Sequence, residues 1–380
     1  MKIAGLWLER AETQAVCAML ARGGHQALLV GGCVRNALLG VQVGDIDIAS
    51  DALPERVIGL AEAAGLRAVP TGILHGTVTV VAGGLPHEVT TFRRDVQTDG
   101  RHAVVAFTDQ VAEDASRRDF TMNALYATAQ GDVVDPLGGL GDVLAHRVRF
   151  VGDPAARIAE DYLRILRFFR FQAWYGDPAL GVDAAGLAAC AEMADGIAHL
   201  SRERVGAEMR KLLGAPDPSV SLAAMAAAGI LARVLPGSSA RAMPVLVHLE
   251  QDLAVRWLRR LAVLGGQEAE DRLRLTRVEA RNLSDIQDAI GAPGGSAVLA
   301  YRHGADVAAD ILLVRAALLG TDLPTNWKAD LDRGAGAVLP VGPEDFMPAL
   351  QGAALGARLR AAEAQWFASD LTATRSELLR

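Results

Sequence analysis

The hydrophobic positions change their period along the chain, and the change divides it. Through roughly the first 150 residues they fall in short runs. LLVGGCV (28–34) reads as a buried strand breaking into a Gly-Gly turn, and DIDIA (45–49) alternates strictly, as a half-buried strand does. TVTVVA (77–82) and EVTTF (88–92) are β-branched runs separated by GGLPH, a hairpin signal. DVQTDGRHAVVA (95–106) is polar and contains glycine, so a mobile loop is expected there. The turn cluster DPLGG (135–139) is expected to close the first domain.

Beyond that point the period lengthens to that of helices. Asp153 is placed to cap one, with Pro154 in its first turn, where a missing N–H costs nothing. On that helix Arg157, Asp161, Arg164 and Phe168 fall three and four apart and form one stripe, beside a mostly apolar stripe of Ile158, Tyr162, Ile165 and Phe169. Another helix begins at Ser201, with Glu203 in its first turn and Leu200 set to staple against Val205. From about residue 215 the pattern stays helical, interrupted by LPGSS (235–239) and IGAPGGS (290–296). The expected class is α+β, with a mixed α/β head over residues 1–145 and an all-helical remainder dividing into 146–240 and 241–380.

Composition narrows this only a little. With 380 residues, 51% hydrophobic and 22% charged, the chain can bury more than one core and is not a disordered type. Cys17, Cys33 and Cys190 have no paired spacing, giving neither a disulfide framework nor a zinc site, which fits a reducing cytoplasm. His75, His87 and His102 likewise lack metal-ligand spacing. Glu9, Arg10 and Glu12 interrupt the N-terminal stretch, so no secretion signal is expected. The apolar run from Val220 to Leu235 is too short for a membrane span and carries Arg233. The net charge of −7 weighs against a polyanionic partner, since phosphate contacts need Lys and Arg. Net charge averages over faces, however. Arg93, Arg94, Arg101, Arg117 and Arg118, then Arg147, Arg149, Arg157, Arg164, Arg167 and Arg170, are dense enough for a local positive cleft.

Candidate chemistry begins with Asp45 and Asp47. Two apart on a strand, they share a face while Ile46 and Ile48 pack behind. Neighbouring carboxylates repel unless a cation joins them, and carboxylate, water and phosphate oxygens are the ligands that Mg²⁺ prefers. Taken alone, a D-x-D more often marks a solvated turn or strand edge than a metal site. Upstream, Gly31-Gly32-Cys33-Val34-Arg35-Asn36 follows a strand. Its glycines let backbone N–H groups approach phosphate, and Arg35 could clamp a triphosphate. The turn is neither a Walker loop nor G-x-G-x-x-G.

Taken together, GGCVRNALLG, DIDIAS, HGTVTVV (75–81), HEVTTFR (87–93), RRDFTMNAL (117–125), DPLGGLGD (135–142), EDYLRILRFFRF (160–171) and SRERVGAEMRKLL (201–213) resemble the class II tRNA nucleotidyltransferases (CCA-adding enzymes) and bacterial poly(A) polymerases. The resemblance covers about residues 25–215 and fades beyond 240. It implies a polymerase-β-like nucleotidyltransferase head over 1–145, a helical neck with base-selecting and RNA-binding residues over 146–240, and a helical body and tail over 241–380 that hold tRNA. By the same resemblance, Asp45 and Asp47 are catalytic metal ligands for Mg²⁺, with Glu88 an accessory acidic residue near the metal. Gly32 and Arg35 bind the triphosphate, and Arg118 and Asp119 sense the ribose. Asp161 and Arg164 read the base, and Arg167 and Arg170 contact the nucleotide. Many relatives have Asp where this chain has Asn36, a departure that keeps the hydrogen-bonding shape. No H…HD…D arrangement is present, so the phosphohydrolase module attached to some relatives is not expected.

The base-reading roles have their own chemical logic. Aspartate accepts hydrogen bonds and arginine only donates them. Cytosine offers its N4 amino group beside the N3 acceptor, and adenine its N6 amino group beside N1. Guanine and uracil present the reverse order and would leave buried groups unpaired, a mismatch that discriminates by about 10⁴-fold or more. The alternative for this helix is a solvated face paired Arg157–Asp161 and Glu160–Arg164.

The expected reaction is attack of the tRNA 3′-hydroxyl on CTP and then ATP, without a nucleic-acid template, a membrane or an obligate protein partner. A poly(A) polymerase, or a CC- or A-adding enzyme, is the alternative within the family. DGRHAVVAFT resembles the loop of CCA-type members and lacks the basic, aromatic segment of the poly(A) group. A non-catalytic RNA-binding relative would have lost an acidic ligand or the triphosphate arginine. A small-molecule nucleotidyltransferase would leave the EDYLR helix and the helical tail unexplained. Arg256, Arg259, Arg260, Arg272, Arg274, Arg277 and Arg281 suit RNA phosphate, and a solvated helical surface equally.

Overall fold

The structure, a computed structural model, describes residues 1–380 apart from 100, 101, 252, 292 and 293. It divides into two compact units, one of residues 1–208 with 220–233, the other of residues 209–219 with 234–380.

The first unit is built on a seven-stranded sheet. In chain order its strands are β1 (Leu28–Val30), β2 (Asp47–Ser50), β3 (Arg67–Gly72), β4 (Thr77–Ala82), β5 (Leu85–Thr91), β8 (Tyr126–Ala127) and β9 (Val133–Val134). In space they run β3-β4-β5-β2-β1-β8-β9. Among the described residues only β2 and β5 pair in parallel, which sets Asp47 opposite Glu88 and Ile48 opposite Val89. Val78, Val80, His87, Val89 and Ile48 are fully buried on one face. Helix α1 (Ala11–Arg22) lies against that face, where Thr13 Oγ1 is 3.1 Å from His87 Nε2. Because strand side chains alternate, Asp47 and Glu88 belong to the other face.

Several expectations shift in detail. β4 and β5 meet at Gly83-Gly84 alone, both with positive φ (55° and 85°), as a two-residue hairpin turn requires; Leu85, Pro86 and His87 of the expected GGLPH linker belong to β5. The second strand starts at Asp47, two residues later than DIDIA suggests, leaving Asp45 in a bend before it. The expected mobile loop over 95–106 is instead a two-stranded ribbon. β6 (Arg93–Asp99) pairs antiparallel with β7 (His102–Phe107), from Arg93–Phe107 to Asp99–His102. Residues 100 and 101, with the candidate Arg101, lie outside the described residues.

Helices follow. The segment expected as one helix from Pro154 is two: Pro154–Glu160, capped by the Asp153 side chain on Ala156 N–H, and Leu163–Tyr175. Asp161 between them is extended (φ −158°, ψ 106°), so Arg157, Asp161, Arg164 and Phe168 do not continue as one stripe. Phe120, Phe150, Phe168 and Phe171 pack together beneath, with ring centroids 4.9–6.3 Å apart.

The second unit is helical. Arg259 and Arg260, which the sequence offered as RNA contacts or solvated surface, are neither: they are 2% and 1% exposed. Arg259 donates from Nε to Glu250 Oε1 (2.8 Å) and from Nη1 to Asp310 Oδ1 (3.2 Å). Arg260 reaches Glu250 Oε2 (2.7 Å) and the carbonyls of Leu213 and Pro216 (2.7 and 3.0 Å). Buried charges are tolerated because each finds a partner. Among the described residues no helix is long and apolar enough to cross a membrane.

Candidate active site

β1 ends at Val30, and the chain turns at Gly31 with φ 70°, a value that a side chain rarely tolerates. Helix α2 (Gly32–Leu38) begins at once, and Arg35 lies on it. β2 runs beside β1 in the opposite direction, Leu29 pairing with Ile48. This antiparallel neighbour relation brings the Gly-Gly turn and the acidic end of β2 to one end of the sheet.

Asp47 is half-buried there, while Asp45 and Glu88 are exposed. Burial, then the charge of Glu88, and also that of Asp45, push the Asp47 carboxyl up to about 6, while Arg118 pulls the other way. Among the described residues no three of His, Cys, Asp and Glu are gathered into a cluster that could hold a metal ion. The donor chemistry nonetheless suits a hard cation: an all-carboxylate set in which burial and the acidic neighbours make one member resist ionising until a cation offsets the charge.

Arg118 faces the turn. A Cβ added at Gly31 would stand 3.4 Å from its Nη1. Its Nε donates to Tyr126 Oη (3.1 Å) and its Nη2 to Asp114 Oδ2 (3.0 Å). Gly32 opens α2 beside it, with room near Arg35 Nη2. Arg35 is turned inward and is 7% exposed. Its Nη1 donates to Asn123 Oδ1 (2.5 Å), its Nη2 to Tyr175 Oη (2.8 Å), and both Nε and Nη2 to Asn36 Oδ1 (3.1 and 2.8 Å). Asn36 thus accepts as an aspartate would, while its amide donates to the Gln42 carbonyl (2.9 Å).

A relay of polar contacts continues from Asn123. Its amide donates to Asp119 Oδ1 (2.9 Å), which also accepts the Phe120 N–H, and Arg167 Nε donates to Asp119 Oδ2 (2.7 Å). Burial pushes the Asp119 carboxyl up, but Arg167 and Asn123 outweigh it and hold it below the usual range. Arg170 Nε donates to Glu208 Oε2 (2.6 Å). Arg35, Arg167 and Arg170 all lie over the Phe171 ring, at 5.2, 5.3 and 4.4 Å from its centroid.

Asp161 and Arg164 sit at the helix break, each with a different partner. Asp161 Oδ1 accepts the Leu163 N–H (3.1 Å) and Oδ2 accepts from Arg204 Nη2 (2.6 Å). Arg164 donates to Glu160 Oε2, to the Arg157 carbonyl (2.8 Å) and to the Arg117 carbonyl (3.2 Å). Glu160 also holds Arg157. Of the two alternative pairings for this face, Glu160–Arg164 is present, while Arg157 pairs with Glu160 rather than Asp161.

The sequence reading missed Asp114, Tyr126, Asn123, Tyr175, Arg204 and Glu208. Asp114 stood three and four residues before Arg117 and Arg118, a helical spacing that could have revealed it. Asn123 stood four residues after Asp119, inside a motif already singled out; Tyr126, Tyr175, Arg204 and Glu208 meet their partners only through tertiary packing.

The poly(A) polymerase head domain family matches residues 27–149, and the family described as the probable RNA- and SrmB-binding site of polymerase A matches residues 181–241. The CCA-adding enzyme of Geobacillus stearothermophilus is 33% identical over 341 residues, covering 85% of this chain and 81% of that one. The chain belongs to the CCA-adding enzyme and poly(A) polymerase family. Another member, the mouse mitochondrial CCA tRNA nucleotidyltransferase 1, is 42% identical over 196 residues, covering 51% of this chain and 45% of that one. This chain thus spans about half the length of several curated family members that it matches. A crystal structure of the Bacillus stearothermophilus CCA-adding enzyme in complex with CTP superposes with a TM-score of 0.74 at 29% identity, covering 97% of this chain and 95% of that one. The α+β architecture, a mixed head followed by helices, is that of the family.

Proposed function

We propose that this protein adds CCA to the 3′ end of tRNA from CTP and ATP, without a nucleic-acid template, in the cytoplasm. The observation that carries the reading is the end of the sheet, where Asp47, in register with Glu88 and charged beside Asp45, faces Arg118 over the Gly31 turn.

Asp45 and Asp47 are the proposed holders of Mg²⁺, with Glu88 nearby. When bound, the ion supplies Lewis acidity to the α-phosphate and lowers the pKa of the attacking 3′-hydroxyl, two ions being the usual number in such displacements. The backbone at Gly32 and the charges of Arg35 and Arg118 orient the triphosphate, and Arg118 with Asp119 faces the ribose. Asp161 accepts from the exocyclic amino group shared by cytosine and adenine, and Arg164 donates to the adjacent ring nitrogen. Reading the base requires Arg164 to turn from Glu160. Arg167 and Arg170 add positive potential for the phosphates. The proposed division of labour places chemistry in residues 1–145, base selection in 146–240 and tRNA binding in 241–380. The likeness of the 93–108 segment to CCA-type members supports CCA over poly(A) addition.

Purified protein with Mg²⁺ and tRNAs ending before CCA, after C and after CC, given CTP or ATP singly and together, tests this. The expected products are complete CCA ends from all three substrates. Long A tails would favour the poly(A) reading, extension by CC or A alone a partial enzyme, and no extension of any tRNA would end the proposal.

A further inference from the structure

Arg118 reaches its place over the Gly31 turn through a carboxylate that plays no part in the site as read from the sequence. Asp114 is 1% exposed, on the short helix Val111–Ser116. Four donors converge on it. Oδ1 accepts from Arg117 Nε (2.9 Å) and from the Arg93 backbone N–H (3.4 Å), and Oδ2 from Arg118 Nη2 (3.0 Å) and Tyr126 Oη (2.7 Å). Tyr126 is fully buried, on β8. Because its hydroxyl proton points to Asp114, its lone pairs face Arg118 Nε, which donates to them at 3.1 Å. Asp114 therefore controls both fixed points of the guanidinium, one directly and one by orienting the tyrosine.

A guanidinium is a planar fork. Fixing Nε and Nη2 leaves Nη1 no choice of direction, and here it lies 3.4 Å from where a Gly31 side chain would begin. Left unanchored, the long side chain would have to surrender its rotamer freedom when it met a ligand. Anchored, it is ordered beforehand. Asp114 itself is shielded behind Arg117, Arg118 and Tyr126 and presents no atom to the turn.

We propose that Asp114 is a positioning residue for nucleotide binding, acting through Arg118 by way of a direct ion pair and the Tyr126 hydroxyl. This rests on the nucleotidyltransferase reading above. The same carboxylate accepts from the Arg93 N–H at the root of the β6–β7 ribbon, so ribbon and arginine share one anchor.

Steady-state tRNA extension with varied CTP tests it. Asp114→Asn keeps the shape and removes the charge, and is expected to raise KM for CTP about tenfold while kcat at saturating CTP stays within about threefold. Tyr126→Phe leaves the carboxylate intact and is expected to raise KM by a smaller factor, so it carries the test should the buried Asn variant fail to fold. In an Arg118→Gln background either substitution is expected to add little further, because the residue through which it acts is gone. A general packing role would instead lower the thermal midpoint and the active fraction without moving KM. Unaltered KM in both single variants, or losses that add in full to that of Arg118→Gln, overturns the proposal while leaving the nucleotidyltransferase reading in place. Wild-type protein that extends no tRNA in the same assay overturns that reading and the proposal with it.

Discussion

Asp47 lives in a conflict that the sheet creates. Burial first, and then its acidic neighbours in register and in sequence, Glu88 and Asp45, raise its carboxyl to about 6. The folded state therefore binds a proton more readily than the unfolded chain. This favours folding at pH values below the unfolded pKa, and the benefit is lost as pH rises through about 6. Above that, the ionised site opposes the fold. Asp47→Asn is expected to stabilise the divalent-free protein at pH 7.5 by about 1–2 kcal/mol, read as a higher thermal midpoint. The gain should shrink toward pH 5, and catalysis should be abolished. Because a proton and Mg²⁺ compete for the same carboxylate, wild-type extension at subsaturating Mg²⁺ should fall as pH drops through 6, and added Mg²⁺ should move that fall to lower pH. A variant less stable than wild type at pH 7.5 would show the repulsion to be unimportant. The face of Asp47 was legible because apolar Ile46 and Ile48 flank it, whereas Asp45 lies in a bend before the strand, where alternation does not fix its direction. Glu88 was harder to read, because its place beside Asp47 depends on a parallel pairing that no local pattern announces.

Among the elements, the break between Glu160 and Leu163 teaches most. The helical pattern runs through it without Gly or Pro, so the sequence predicts one continuous helix. What stops the helix is partly local and partly tertiary: the Asp161 carboxylate takes the Leu163 N–H two residues on, and also Arg204, a residue of a later helix. Tyr162, at the same corner, lies against Gly196, where a Cβ would fall 1.9 Å from a ring atom. The rigid ring can yield only by moving. Gly196→Ala is expected to cost about 1–3 kcal/mol in denaturant unfolding and to raise misincorporation of GTP and UTP by shifting Asp161. Unchanged stability and unchanged selectivity would show that the corner adapts. The β6–β7 ribbon escaped the sequence reading for a related reason: polarity there suggested a loop, while backbone pairing made strands.

Across the whole molecule, charge is distributed inward as well as outward. Arg259 and Arg260 lie in the helical unit beside Glu250 and Asp310, all at most 4% exposed as side chains. Burial raises the Asp310 carboxyl above its usual range despite Arg256 and Arg259. Truncating one partner leaves its mates charged and dry. Arg259→Ala is expected to lose about 3–5 kcal/mol of unfolding free energy, measured by urea titration, and far more than Arg281→Ala, whose side chain is 83% exposed. Equal effects would mean that the network is hydrated. Sequence patterning assigned these arginines to the surface because charge on a helix usually marks solvent. The compensating acids lie in other turns and other helices.

Phe171 carries no charge, yet three guanidiniums gather around it. Its π faces act as an electron-rich spacer that lets cations crowd without touching, with Asp119 and Glu208 as counterweights. A protein that is anionic on average can in this way keep a small, steep electropositive well. A leucine there would remove the ring's attraction and let the cations drift apart without altering the net charge at all.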